Sequence, residues 1–127
     1  MPPVSVRYIV NDVDQAIDFY RDALGFTVDM HPAPGFASLS HGDLRLLLNR
    51  PGAGGAGQQS GGATPAPGGW SRFQLEVSDL AALVARLRAA GYRFRSDDII
   101  VGNGGNQIIL DDPSGNAIEL FEPRTVT

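Results

Sequence analysis

Two histidines, no cysteine and fourteen carboxylates bound the chemistry open to this chain. Without a thiol there is no disulfide framework, thiolate metal site or cysteine nucleophile, and a metal would have to be held by His or carboxylate. His31 lies in His31-Pro32-Ala33-Pro34-Gly35 and His41 precedes Gly42-Asp43. Both read as exposed loop residues, and His31 is also a candidate for the rim of a site, because loops at strand ends often border one. No Ser-His-Asp arrangement or phosphate-cradling loop is present, and Gly102-Asn103-Gly104-Gly105 reads as a hairpin turn. A polar alternation remains: Arg72, Gln74 and Glu76 interleave with Phe73, Leu75 and Val77, giving a strand with one polar and one apolar face. Trp70 directly precedes that strand. Its indole could close over a flat ligand by stacking, or plug the core at the end of the segment before it.

The elements that must position these residues are written twice. Val6 to Val10 reads as a strand, and Asp12 caps a helix whose Val13, Ala16, Ile17, Tyr20 and Leu24 share a face and which ends at Gly25. A strand then starts at Phe26-Thr27-Val28. Phe73 to Val77 repeats the strand, Asp79 the cap, Leu80, Leu83, Val84 and Leu87 the helical face, and Gly91 the stop before Tyr92-Arg93-Phe94. The turn His41-Gly42-Asp43 leads into Leu44 to Leu48, as Pro113-Ser114-Gly115-Asn116 leads into Ala117 to Phe121. Each half is therefore predicted to be strand, helix and three strands, an α+β arrangement of two tandem βαβββ units over about 4–50 and 70–123. Between them, 51–69 is a Gly/Pro-rich linker or mobile lid, too poor in large side chains to pack and expected to hold neither helix nor strand.

At 127 residues the chain fits one domain spanning 1–127. A net charge of −4 with ten scattered arginines argues against nucleic acid as a partner. No apolar run approaches bilayer length and Met1-Pro2-Pro3 lacks the regions of a signal peptide, so no membrane partner and a cytoplasmic location are expected.

The segment Asp12-Val13-Asp14-Gln15-Ala16-Ile17-Asp18-Phe19-Tyr20-Arg21-Asp22-Ala23-Leu24-Gly25-Phe26 resembles the first-helix signature of the vicinal-oxygen-chelate superfamily, which includes glyoxalases, bleomycin-resistance proteins and extradiol dioxygenases. Asp112-Pro113-Ser114-Gly115-Asn116-Ala117-Ile118-Glu119-Leu120 resembles its final hairpin. The likeness spans nearly the whole chain, but neither segment separates the enzymes from the drug-binding members. It implies paired units curled into a cupped mixed sheet, usually completed by a second subunit, hence a homodimer.

In metal-dependent relatives the ligands come from the first and last strand of each half. Offsetting the helix motif by 67 residues pairs Ser5 with Arg72, and offsetting the hairpin by 73 pairs Leu46 with Glu119. Only Glu119 is a suitable donor; Ser5 is weak, Leu46 offers nothing, and Arg72 brings a permanent positive charge. No metal, other cofactor or catalytic residue is therefore expected. If Arg72 and Glu119 meet, they form either a charge-assisted pair on a pocket wall or a plain ion pair kept for the fold. The same strand parity puts Leu44, Leu46, Leu48 and Phe121 in the cup beside Arg7, Arg72, Gln74 and Glu119, with Phe36 and Trp70 flanking. The expected ligand-binding set is thus Ser5, Arg7, His31, Phe36, Leu46, Leu48, Trp70, Arg72, Gln74, Glu119 and Phe121. Such a set suits a small-molecule binding protein like the superfamily's metal-free members that sequester bleomycin, mitomycin or enediyne-type antibiotics. The alternative is a glyoxalase-like lyase or isomerase, or a dioxygenase, with a displaced metal or Glu119 as general base.

Overall fold

A computed structural model describes residues 4–57 and 61–124 of the chain. It divides into two units, Met1–Gly68 with Pro113–Asn116, and Gly69–Asp112 with Ala117–Thr127. Among the described residues no helix is long and apolar enough to cross a membrane.

In the first unit Asp12 starts the helix as its residue type predicts. Its carboxylate accepts the Gln15 N–H at 3.1 Å, and α1 runs Val13–Leu24; such a cap contributes about 1 kcal/mol. Gly25 at φ 75° turns the chain out, with its N–H on the Arg21 carbonyl and that of Phe26 on the Tyr20 carbonyl. The strands β1 (Val4–Ile9), β2 (Thr27–Ala33), β3 (Phe36–His41) and β4 (Leu44–Asn49) make a sheet in the order β1-β4-β3-β2, with β1 parallel to β4 and the other pairs antiparallel. Tyr8, Ala37, Leu39, Leu46 and Leu48 are buried on the face that α1 covers. From α1 an aromatic run of Tyr20, Phe26 and His41 continues onto that face, with edge-on rings at 5.4 Å and tilted rings at 5.0 Å. Fully burying a leucine contributes about 1.5–3 kcal/mol, so this face anchors the unit.

In the second unit Asp79 again caps a helix, α2 (Leu80–Ala89), from a left-handed φ of 51°. Two further N–H groups at that end, of Asp79 and Leu80, donate to the Glu122 carboxylate at 3.2 and 3.0 Å, so the last strand helps cap the helix. Leu80, Val84 and Leu87 are buried, and Leu83 is half-buried. The sheet order is β5-β9-β8-β6, from β5 (Arg72–Glu76), β6 (Arg93–Phe94), β8 (Gly105–Asp111) and β9 (Ala117–Pro123), with β7 (Ile100–Val101) also on β8. Each half is βαβββ-like, but the second departs from three strands after its helix. Where the first half has one seven-residue β2, it has the two-residue β6 and β7. Ser96 to Asp98 turn away between them: the Arg88 guanidinium holds the carbonyls of Ser96 and Asp97, and the Ser96 hydroxyl donates to the Asp98 carbonyl.

The Gly/Pro-rich stretch also departs from expectation. Gly54–Ala56 form a short 3-10 turn, and Ala56 is fully buried. Left-handed glycines at Gly52 and Gly54 permit the tight path, and the Asn49 side chain fastens it by donating to the Ala53 carbonyl at 3.1 Å.

Candidate functional site

Strand pleating sorts the second unit's side chains. Phe73, Leu75, Ile118, Leu120, Ile108 and Leu110 are buried on one face. In register across the other lie Gln74, Glu119 and Ile109 in one row, with Glu76, Phe121 and Gln107 in the next. Glu119 is only 8% exposed. Its Oε1 accepts from Arg72 through Nε at 2.9 Å and Nη2 at 2.8 Å, and its Oε2 accepts from Gln74 Nε2 at 2.6 Å. Gln107, in the amide orientation that satisfies both of its polar atoms, donates to Oε2 at 2.9 Å and Oε1 at 3.2 Å. A carboxylate offers about four lone-pair directions, and these donors fill them.

Beside this cluster Arg95 donates to Asp111 at 2.6 Å and to the Gly69 carbonyl at 2.8 Å, while its guanidinium lies 4.5 Å from the Trp70 ring centre. Arg72 also donates to the Trp70 carbonyl at 3.3 Å. The indole is thus held at its backbone and on one face, yet remains 67% exposed. It is not a plug in the core: two arginines fasten it to the sheet surface.

The first unit carries a different feature, a cavity of about 520 Å³ lined by Arg7, the β2–β3 turn from Pro32 to Phe36, and Asn49, Arg50 and Ala53 to Gly55 after β4. Asn49 is fully buried and accepts from Arg7 Nη1 at 2.5 Å.

The expected site residues fall in both units, and each group is described within its own. Arg72, Gln74, Glu119 and Phe121 share one sheet face, and Arg7 and Phe36 line the first-unit cavity. Ser5 is exposed on the same face as Arg7. Leu46 and Leu48 do not join them. Both are 0% exposed on the face that packs on α1, paired with Val6 and Tyr8, and Leu44 has the same parity. The cause is turn length: β3 and β4 are joined through two residues, Gly42 and Asp43, whereas β8 and β9 are joined through 112–116. The strand partners of Ser5 and Arg72, Arg45 and Ala117, are 72 residues apart, so aligning the turns at 73 shifts β4 by one residue and inverts its faces. His31 lies within β2 rather than after it, exposed and 3.4 Å from Asp14. His41 ends β3 and packs on Phe26 rather than projecting from a turn. Gln107, Arg95, Asn49 and Arg50 were missed; β8 parity would have found Gln107 once its register with β9 was known.

A family model of the Glyoxalase/Bleomycin resistance protein/Dioxygenase superfamily matches residues 3–120. The chain belongs to this superfamily. Similar solved structures include a superfamily member from Sphaerobacter thermophilus DSM 20745, 26% identical over 93% of this chain and 94% of that one, with a TM-score of 0.74. A lactoylglutathione lyase from Agrobacterium tumefaciens is 22% identical over 96% of both chains, with a TM-score of 0.72. TnmS3, an antibiotic-binding protein from Streptomyces sp. CB03234, is 24% identical over 94% and 93%, with a TM-score of 0.69. The fold is thus shared with an enzyme and with a binding protein. No curated protein matches the chain.

The superfamily's metal-dependent members raise the question of a metal. Among the described residues no three His, Asp or Glu side chains gather. With the corrected register, the β4 residue beside Ser5 is Arg45, and Leu47 pairs with Arg7; neither is a ligand. Glu119, the one suitable donor, already accepts from Arg72, Gln74 and Gln107. This donor set does not fit a family-type metal centre.

Proposed function

We propose that this chain binds a small molecule rather than transforming one, and that it acts by stoichiometric sequestration of a large aromatic natural product of the bleomycin, mitomycin or enediyne type. The observation that carries the reading is the saturated Glu119 carboxylate. A general base needs a lone pair free to take a proton, and a carboxylate wrapped by a guanidinium and two amides has none to spare. What the cluster supplies is a networked polar wall whose Arg72 and Gln74 are exposed and can help to orient a ligand. Trp70 adds an exposed aromatic plate next to it, held on one side by Arg95, and stacking on such a plate recognises flat molecules. The structural likeness to TnmS3 is consistent with this role, and the likeness to the lactoylglutathione lyase makes the enzyme the reading to beat.

Trp70 is the chain's one tryptophan, so its emission reports on this face without ambiguity. Titration with a panel of polycyclic antibiotics is expected to give a saturable change at one ligand per chain, with the ligand recovered unaltered. A flat response across the panel, or a chemically changed ligand, would overturn the proposal.

A further inference from the structure

The chain's ten side-chain cations are all arginines, in a protein of net charge −4. Arg21, Arg72 and Arg95 are paired with carboxylates. Among the described residues, no carboxylate pairs with Arg7 or Arg50, and no Asp or Glu lines the first-unit cavity they share. Arg7 is held in place there. The buried Asn49 grips its Nη1, and Gly55 lies so close that a Cβ at that position would stand 2.2 Å from the same nitrogen. Asn49 is fixed in turn by its bond to the Ala53 carbonyl. Arg50 is placed by its N–H on the Gly35 carbonyl at 3.0 Å, which sets it against the β2–β3 turn. Phe36 and the Pro32 and Pro34 rings make the rest of the wall largely apolar.

Two cations that line one cavity without counter-charge favour an anion there, and an arginine pre-set by a buried amide loses little freedom on binding it. The volume suits a molecule of two or three fused rings, being within the range of about 300–1,000 Å³ usual for ligand pockets. We propose that this cavity binds an aromatic anion, with a carboxylate on Arg7 and Arg50 and its planar body against Phe36 and the prolines. The inference rests on the small-molecule-binding role proposed above and adds the charge of a ligand and a place for it.

Anthracene-2-carboxylate and its neutral carboxamide are matched probes, followed by their own fluorescence. The carboxylate is expected to bind at least about tenfold more tightly than the amide, and Arg7→Gln and Arg50→Gln each to lose about tenfold for the carboxylate alone. Gly55→Ala, which displaces the end of the Arg7 side chain rather than backbone, is expected to lower the carboxylate preference in the same direction. Arg86→Gln, on the exposed side of α2, tests for general charge attraction and is expected to change nothing. Equal affinity for the two probes, or undiminished carboxylate binding in the Arg7→Gln/Arg50→Gln double variant, overturns the anion site but leaves the binding role intact. Binding of neither probe overturns the site as well, and the Trp70 titration then decides the role separately.

Discussion

Glu119 is the residue on which the functional reading turns, and its neighbours decide what it does. Arg72 and Glu119 were open to two readings in the sequence, a polar anchor or a plain ion pair. The structure adds Gln74 and Gln107 to the same carboxylate, which makes a network and not an isolated pair. Glu119→Gln keeps the shape but removes the charge, leaving the Arg72 side chain, 29% exposed, without its anion. We expect a loss of about 1–3 kcal/mol in urea unfolding. An unchanged stability would mean that the network does not hold the sheet face together. Sequence finds Arg72 and Gln74 by alternation, because pleating has a period of two, and Glu119 by the resemblance and the repeat; Gln107 comes from a strand whose register no local pattern specifies.

At the scale of elements, the second unit is tied together by what β9 offers to its neighbours. Glu122 caps α2 at two N–H groups, so Glu122→Ala is expected to cost about 1–2 kcal/mol, measured by thermal unfolding, and to raise amide exchange at the start of α2 selectively. Gly105 sits at φ 154° where β8 meets the end of β9, and a Cβ there would lie 2.2 Å from the Glu122 carbonyl oxygen. Backbone cannot yield as a side-chain tip can. Gly105→Ala should therefore destabilise by more than about 2 kcal/mol; a smaller loss in chemical denaturation would mean the β8–β9 register can shift. The helices were legible because caps, stops and a 3.6-residue period are local signals: Asp12, Gly25 and Asp79 fall where they were expected. The broken strand of the second half was not, because Ser96 and Asp97 are drawn away by Arg88 on α2, eight and nine residues earlier in the chain.

For the molecule as a whole, the superfamily resemblance implies a homodimer, and sedimentation should find a species of twice the 13.5 kDa chain mass; a monomer at working concentration would overturn that expectation. Elemental analysis of protein prepared without chelator should find nickel, zinc, iron and manganese each far below one per chain, since the donor set does not fit a metal. Near-stoichiometric metal would restore the enzyme reading. Sequence alone determined the α+β class, the doubled strand-and-helix plan and the superfamily, because these rest on short-range periodicity, caps and motifs that survive without knowledge of partners. Tertiary structure decided which side of β4 faces the helix. The pairing of β4 with β1 lies one residue away from the alignment of the two turns, which puts Leu46 and Leu48 in the core, while Arg7, Asn49 and Arg50 line a cavity. It also decided that Glu119 is fully engaged, since its donors come from the two strands flanking its own and meet it only when the sheet is paired.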